Sequence, residues 1–176
     1  MFSKLLVPTD GSDHAERAVA IASDLAAKYG AQMVLLHVIK DYNVPPALAR
    51  FAEVEGIAEA KTTQHVEPII AGAPHVVVSR PVGVRQQIQG DAVMRKIADN
   101  LLEAAKAVAA ERGVASIRTV TTEGDPADRI LEYARDEGAD GIVVGSRGLS
   151  DLKGAFFGSV SHKVCHEAHC TCITVT

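Results

Sequence analysis

Positive charge is scarce in this chain: 18 Lys and Arg face 22 Asp and Glu, for a formal net charge of −4. A broad basic face that would neutralise phosphates along a nucleic acid is excluded on that balance, so nucleic acid is not an expected partner. No apolar run approaches the ~20 residues of a membrane span. The opening MFSKLLVPTDGSD reaches Pro8 and Asp10 before any run long enough for a secretory leader. A cytoplasmic chain without membrane insertion is the expectation. Cysteine is equally sparse, with Cys165, Cys170 and Cys172 all in the last dozen residues. An odd count at one end is not a disulfide framework, so reduced thiols are expected.

Three familiar motifs are also absent. No Gly-Lys-Ser/Thr ending makes a P-loop, no Gly-x-Gly-x-x-Gly follows the first strand, and no Gly-x-Ser-x-Gly makes a hydrolase elbow. What remains is an ordinary globular composition, 47% hydrophobic and 23% charged over 176 residues. That length fits one domain, residues 1–176, with a single core.

Hydrophobic periodicity changes register at each turn signal. Leu5-Leu6-Val7 is a short buried strand delivered into Pro8-Thr9-Asp10-Gly11. Ser12 or Asp13 can cap the next helix, with Glu16 three places after Asp13. Its apolar stripe reads Ala18, Ile21, Ala22 and Leu25, and Gly30 stops it. Met33 to Ile39 is a continuous apolar strand, the kind expected where helices cover both faces of a parallel sheet. From Asp91 a long helix carries Met94, Ile97, Leu101, Ala104 and Val108 on one side and ends at Gly113. A strand at Ile117–Thr121, a proline-opened helix at Pro126–Glu137, a strand at Gly141–Val144, a helix at Ser159–Ala168 and a strand at Cys172–Val175 complete the chain. Five strands alternating with four helices predict an α/β fold, a doubly wound, Rossmann-like parallel sheet.

Residues 41–90 interrupt the pattern. About fifty residues stand where two to six are usual, with prolines at 45, 46, 68, 74 and 81, so they read as an insertion after the second strand. Ala47–Ala60 could form a helix and His75–Val84 a small hairpin; a solvated excursion and a lid or partner-binding flap both stay open.

In an open parallel sheet, ligands bind beyond the carboxyl ends of strands where the strand order reverses. Pro8-Thr9-Asp10-Gly11 and Gly145-Ser146-Arg147-Gly148 are two such ends. Asp10 offers a carboxylate acceptor suited to ribose hydroxyls or an adenine amine, or else a turn or cap. Gly158-Ser159-Val160-Ser161 opens the last helix, whose unpaired N–H groups, with the hydroxyls of Ser159 and Ser161, form a phosphate site. Gly145 and Gly148 would cradle phosphates from the other side, with no Cβ in the way. No base stands beside a nucleophile, so binding with slow or no turnover is expected, and no catalytic residue is assigned.

The spacing Gly145-x-x-Gly148, nine residues, Gly158-Ser159, together with LLVPTDGS at the start, resembles the nucleotide-binding signature of the universal stress protein family, in its ATP-binding branch. The resemblance implies a five-stranded sheet in order 3-2-1-4-5. It places adenine near Pro8, Thr9, Asp10 and the backbone of Val38, and phosphates at Gly145, Ser146, Arg147, Gly148, Gly158, Ser159 and Val160. It also implies a homodimer joined through the C-terminal strand. The long insertion and Val144, as the apolar residue before the first glycine, depart from the pattern. ATP, or ADP or AMP, is the implied ligand, with Mg²⁺ or Mn²⁺ as a bridging ion that needs few protein ligands.

The leading expectation is therefore a stress-response regulator whose nucleotide occupancy is read by a partner. A slow ATPase or phosphotransferase, and a nucleotide-independent interaction module using residues 41–90 to hold a protein or transporter, stay as alternatives. The tail His162, Cys165, His166, His169, Cys170 and Cys172 resembles a zinc site in composition but not in spacing, and buried cysteines with exposed histidines are the simpler expectation.

Overall fold

The computed structural model describes residues 1–40, 82–149 and 158–176, with side chains of the long central helix described from Ala92 onward. The elements are β1 (Lys4–Pro8), α1 (Asp13–Tyr29), β2 (Gln32–Ile39), α2 (Val82–Glu111), β3 (Ile117–Glu123), α3 (Pro126–Asp136), β4 (Gly141–Gly145), α4 (Ser159–Glu167) and β5 (Thr171–Val175). The chain divides into two units, Met1–Asp41 with Ile97–Thr176, and Tyr42–Lys96. In the second, only the α2 stretch from Val82 is described.

The first unit holds one sheet in the order β3-β2-β1-β4-β5, every pairing parallel, as expected for the doubly wound arrangement. Growth from β1 through β2 to β3 runs one way; the chain then crosses back to lay β4 on the other side of β1. The reversal therefore lies between β1 and β4. Alternate strand residues point to opposite faces. Leu5, Val7, Met33, Leu35 and Val143 pack with Ala18, Ala22 and Ala26 of α1 and Leu102, Ala105 and Ala109 of α2. On the other face, Leu6, Val34, Leu36, Ile142 and Val144 meet Ala127, Ile130 and Ala134 of α3 and Val164 of α4. Covering both faces is why the strands read as unbroken apolar runs.

Three sequence expectations shift here. The buried face of α1 is Ala15, Ala18, Val19, Ala22 and Ala26, and Ile21 is 42% exposed. In α2 the buried positions beyond Ile97 are Ala98, Leu102, Ala105 and Ala109, one residue round from the expected stripe, leaving Ile97 and Val108 39% and 38% exposed. The strands bring large side chains to both faces, so the helices approach through alanines and the bulkier residues flank the contact. Third, α2 starts at Val82 rather than near Asp91, so Val82–Val84 is helix and cannot be the second arm of a hairpin. The rest of the expected hairpin, and the helix over Ala47–Ala60, lie outside the described residues.

Ser12, not Asp13, caps α1: its hydroxyl accepts a hydrogen bond from the Ala15 amide (3.3 Å). The same hydroxyl donates to the Arg147 carbonyl (3.3 Å), tying the start of α1 to the loop after β4. Ser12→Ala should cost about 1 kcal/mol. Urea unfolding would show this as a lower midpoint with unchanged slope, and an unmoved midpoint would mean the cap contributes nothing.

Candidate functional site

Both expected loops sit at the carboxyl edge of the sheet, on either side of the β1/β4 reversal. Pro8 ends β1 in register with Leu36. Thr9 is buried; its amide donates to the Leu36 carbonyl (2.9 Å) and its hydroxyl accepts from the Gly11 amide (3.4 Å). Asp10 bridges the two loops. One carboxylate oxygen accepts the Ser12 amide (3.0 Å), the other the Leu149 amide (3.0 Å). A Cβ on Gly148 would lie 2.5 Å from that second oxygen, so a larger residue there would push the Asp10 carboxylate aside.

Val144 is buried in the α3/α4-side core, and Val38 packs partly buried against the same cluster, near the end of β2 in register with Thr122. Gly145 makes a close contact that its place in the loop did not foretell. A Cβ there would meet the His14 carbonyl carbon at 2.7 Å and the Ala15 nitrogen at 2.8 Å, so the first turn of α1 packs its backbone directly on the end of β4.

Ser146 is fully buried and every polar atom it has is engaged. Its amide donates to Val175 at the end of β5 (2.6 Å), and its carbonyl accepts from the Gly158 amide (2.7 Å) and the Ser161 hydroxyl (2.8 Å). Its hydroxyl lies 3.1 Å from His14 Nδ1. Ser146 thus joins β4, β5, α1 and the start of α4. The Ser161 hydroxyl, expected to face a phosphate, is turned inward to the Ser146 and Gly158 carbonyls.

The start of α4 differs from those of α1 and α3. Ser12 and Asp125 cap those two helices, with Asp13, Glu16 and Asp128 in their first turns. Gly158 brings no side chain to cap α4, and the first turn holds no acid. The first main-chain helical bond is from His162 to Gly158, which leaves the amides of Ser159, Val160 and Ser161 as the outward donors of that turn. Helix polarity adds a partial positive charge at that point. Arg147 contributes a second donor: its Nε is buried and has no hydrogen-bond partner among the described residues. A buried cationic N–H without an acceptor is costly and calls for an anion.

Sequence reasoning missed His14 and His37. His37 Nδ1 donates to the Thr9 carbonyl (2.8 Å), fixing the loop after β1. Its only signal was a polar residue inside the apolar run MVLLHVI. His14 gave none, because its partner Ser146 lies 132 positions away.

Cys165 and Cys172 are joined as a disulfide, with Cα atoms 5.5 Å apart, so the expectation of three reduced thiols is corrected; Cys170 remains free. The chain reversal between α4 and β5 brings together two positions that spacing alone did not pair. Among the described residues no group of three or more His, Cys, Asp or Glu is arranged to hold a metal ion, and no helix is long and apolar enough to cross a membrane.

Comparison with known proteins agrees with this architecture. The model of the universal stress protein family matches residues 1–176. The chain is 34% identical to universal stress protein YxiE of Bacillus subtilis and 32% identical to a universal stress protein of Thermus aquaticus, each over 175 residues and 99% of both chains. Among solved structures it resembles a universal stress protein in complex with cAMP (TM-score 0.62, 23% identical, 99% of this chain and 97% of that one). It also resembles the universal stress protein from Archaeoglobus fulgidus in complex with dAMP (TM-score 0.55, 18% identical, 100% and 98%). With its sheet order, its two converging loops and a match along its whole length, the chain belongs to the universal stress protein family.

Proposed function

We propose that this chain binds an adenine nucleotide, ATP first among them, across the carboxyl ends of β1 and β4, and acts as a cytoplasmic stress-response regulator whose occupancy a partner reads. The observation that carries the reading is the first turn of α4. Its outward amides at Ser159, Val160 and Ser161 meet no capping side chain and no acid, although the other two starts described with side chains have both. An anion at that turn would gain up to three charge-assisted hydrogen bonds and the helix field. Arg147 and Gly148 would close over the phosphates, while Asp10, Thr9, Pro8 and the Val38 backbone face the nucleoside end. Ser146 would position the turn through its carbonyl rather than by touching phosphate. Structural relatives solved with cAMP and with dAMP support the adenine assignment.

The bound nucleotide supplies charge and shape; the chain's residues orient it and exclude water. Mg²⁺ or Mn²⁺ would rest on phosphate oxygens and water, and no step depends on it. β5 lies at the sheet edge and offers its outer backbone to a second copy, which supports a homodimer. The direct test is mass spectrometry of the supernatant after denaturing purified protein. An adenine nucleotide released in near-stoichiometric amount is the expected result. A preparation that neither releases one nor takes up added ATP would overturn the reading.

A further inference from the structure

Cys165 and Cys172 lie outside everything the nucleotide site uses. Cys165 is exposed on the last turn of α4, and Cys172 is the second residue of β5. The Cys165 sulfur also lies 3.0 Å from Thr174 Oγ1, two residues farther along the same face of β5, so the exposed side chain is seated beside the strand. Their Cα separation of 5.5 Å is in the range a disulfide needs without backbone movement. Cys170, close in sequence to both, is not part of the pair. Burial, with the nearby Asp140 charge, pushes its thiol up and keeps it protonated and a poor nucleophile.

The bridge completes a ring. At one end, Ser146 holds the start of α4 through the Gly158 amide and the end of β5 through the Val175 carbonyl. At the other, the Cys165–Cys172 bond ties the end of α4 to the start of β5. Joined at both ends, α4 cannot shift along β5; with the bond open, only the Ser146 end and side-chain packing resist that shift.

We infer that Cys165 and Cys172 form a reversible redox-active site that gives two electrons to a hydroperoxide and in doing so locks α4 onto β5. The steps balance. The exposed Cys165 thiolate attacks the peroxide O–O bond, giving a sulfenic acid and releasing an alcohol, or water from hydrogen peroxide. The Cys172 thiol then displaces hydroxide from that sulfur, forming the S–S bond and a second water. A dithiol reductant reverses it by exchange, taking both hydrogens back to the protein sulfurs. In a reducing compartment such a bond is transient, which suits a sensor better than a staple. A second consequence rests on the nucleotide reading above: locking α4 fixes the turn that carries Ser159, Val160 and Ser161, so the two redox states should differ in ATP affinity.

The test uses the full chain, reduced, freed of reductant and treated with hydrogen peroxide, then alkylated. Cleavage after Lys163 and Glu167 separates Cys165 from Cys170 and Cys172. The expected product is the two peptides joined, lighter by two hydrogens, with Cys170 alkylated, and fully separated after dithiothreitol. Pairing of Cys170 with Cys172, a disulfide between two chains, or oxidation that stops at sulfinic acid on Cys165 would overturn the proposal. Oxidised wild type should unfold about 5 °C above reduced wild type, the order of effect expected from closing a short loop in a domain of this size. Cys165→Ser should show no such difference and Cys170→Ser should keep it. Equal midpoints for the two wild-type states would count against the lock. ATP affinity should differ at least threefold between those states. A linked peptide in a protein that binds no nucleotide would leave the redox site standing and overturn the nucleotide reading alone.

Discussion

Gly158→Asp should weaken nucleotide binding a hundredfold or more while leaving the fold intact. The Gly158 backbone sits at φ −75° and ψ 156°, an extended conformation open to any residue and ordinary for a helix cap. An aspartate there would accept the amides of Val160 or Ser161 as Ser12 and Asp125 do for their own helices. It would also place a negative charge where the helix field favours one, so α4 should gain a few tenths of a kcal/mol or more. The same carboxylate would remove the donors a phosphate needs and repel it. Losing two charge-assisted bonds of about 1.5–3 kcal/mol each amounts to a hundredfold or greater loss of affinity. Calorimetric titration with ATP, paired with urea unfolding, separates the two effects. Weaker binding together with an equal or higher unfolding midpoint is the expected pattern. Undiminished affinity would mean the phosphates lie elsewhere.

Gly145→Ala should do the reverse. Its Cβ would sit 2.7–2.8 Å from backbone atoms of His14 and Ala15, and neither the end of a central strand nor the first turn of α1 can yield as a flexible side chain would. Overpacking of this kind costs about 1–3 kcal/mol, and the backbone nature of the contact puts this case at the upper end. Pushing α1 outward would also lengthen the Ser146–His14 contact and the Ser12–Arg147 bond. The measurement is the urea midpoint of Gly145→Ala against wild type, which should fall; Gly145 is not among the glycines at positive φ, so the loss reports the close contact alone. A Gly145→Ala variant as stable as wild type would show that α1 does not rest on β4 as described.

Architecture was the most legible part of the sequence, because strand–helix alternation and turn residues are local signals. Every strand of the sheet was read within a few residues, and the two loops of the β1/β4 reversal were found from their chemistry. The turn of each helix about its own axis was read less well. Ile21, Ile97 and Val108 looked like core because they are large, yet a sheet carrying Leu5, Met33 and Leu35 leaves room for alanine beneath the helix. The start of α2 at Val82 was hidden by Gly83 and Gly90, both poor helix formers.

In the site, position was legible and division of labour was not. Glycines at 145 and 148 were read as room for phosphate. The structure shows that Gly145 also makes room for the backbone of α1, and Gly148 for the Asp10 carboxylate. A glycine says that something comes close without saying what. Ser146 and His14 become partners only after folding, as do Cys165 and Cys172, whose pairing depends on how α4 turns back into β5.

The central claim is that an adenine nucleotide places its phosphates on the first turn of α4. Nitrogen–proton correlation spectra of the labelled, reduced protein titrated with ATP test it residue by residue. Saturable shifts at the Ser159, Val160 and Ser161 amides, joined by Arg147 and Gly148 and lost in Gly158→Asp, are predicted. Spectra unmoved at millimolar ATP, or saturable shifts confined to β3 and the exposed side of α2, would contradict it.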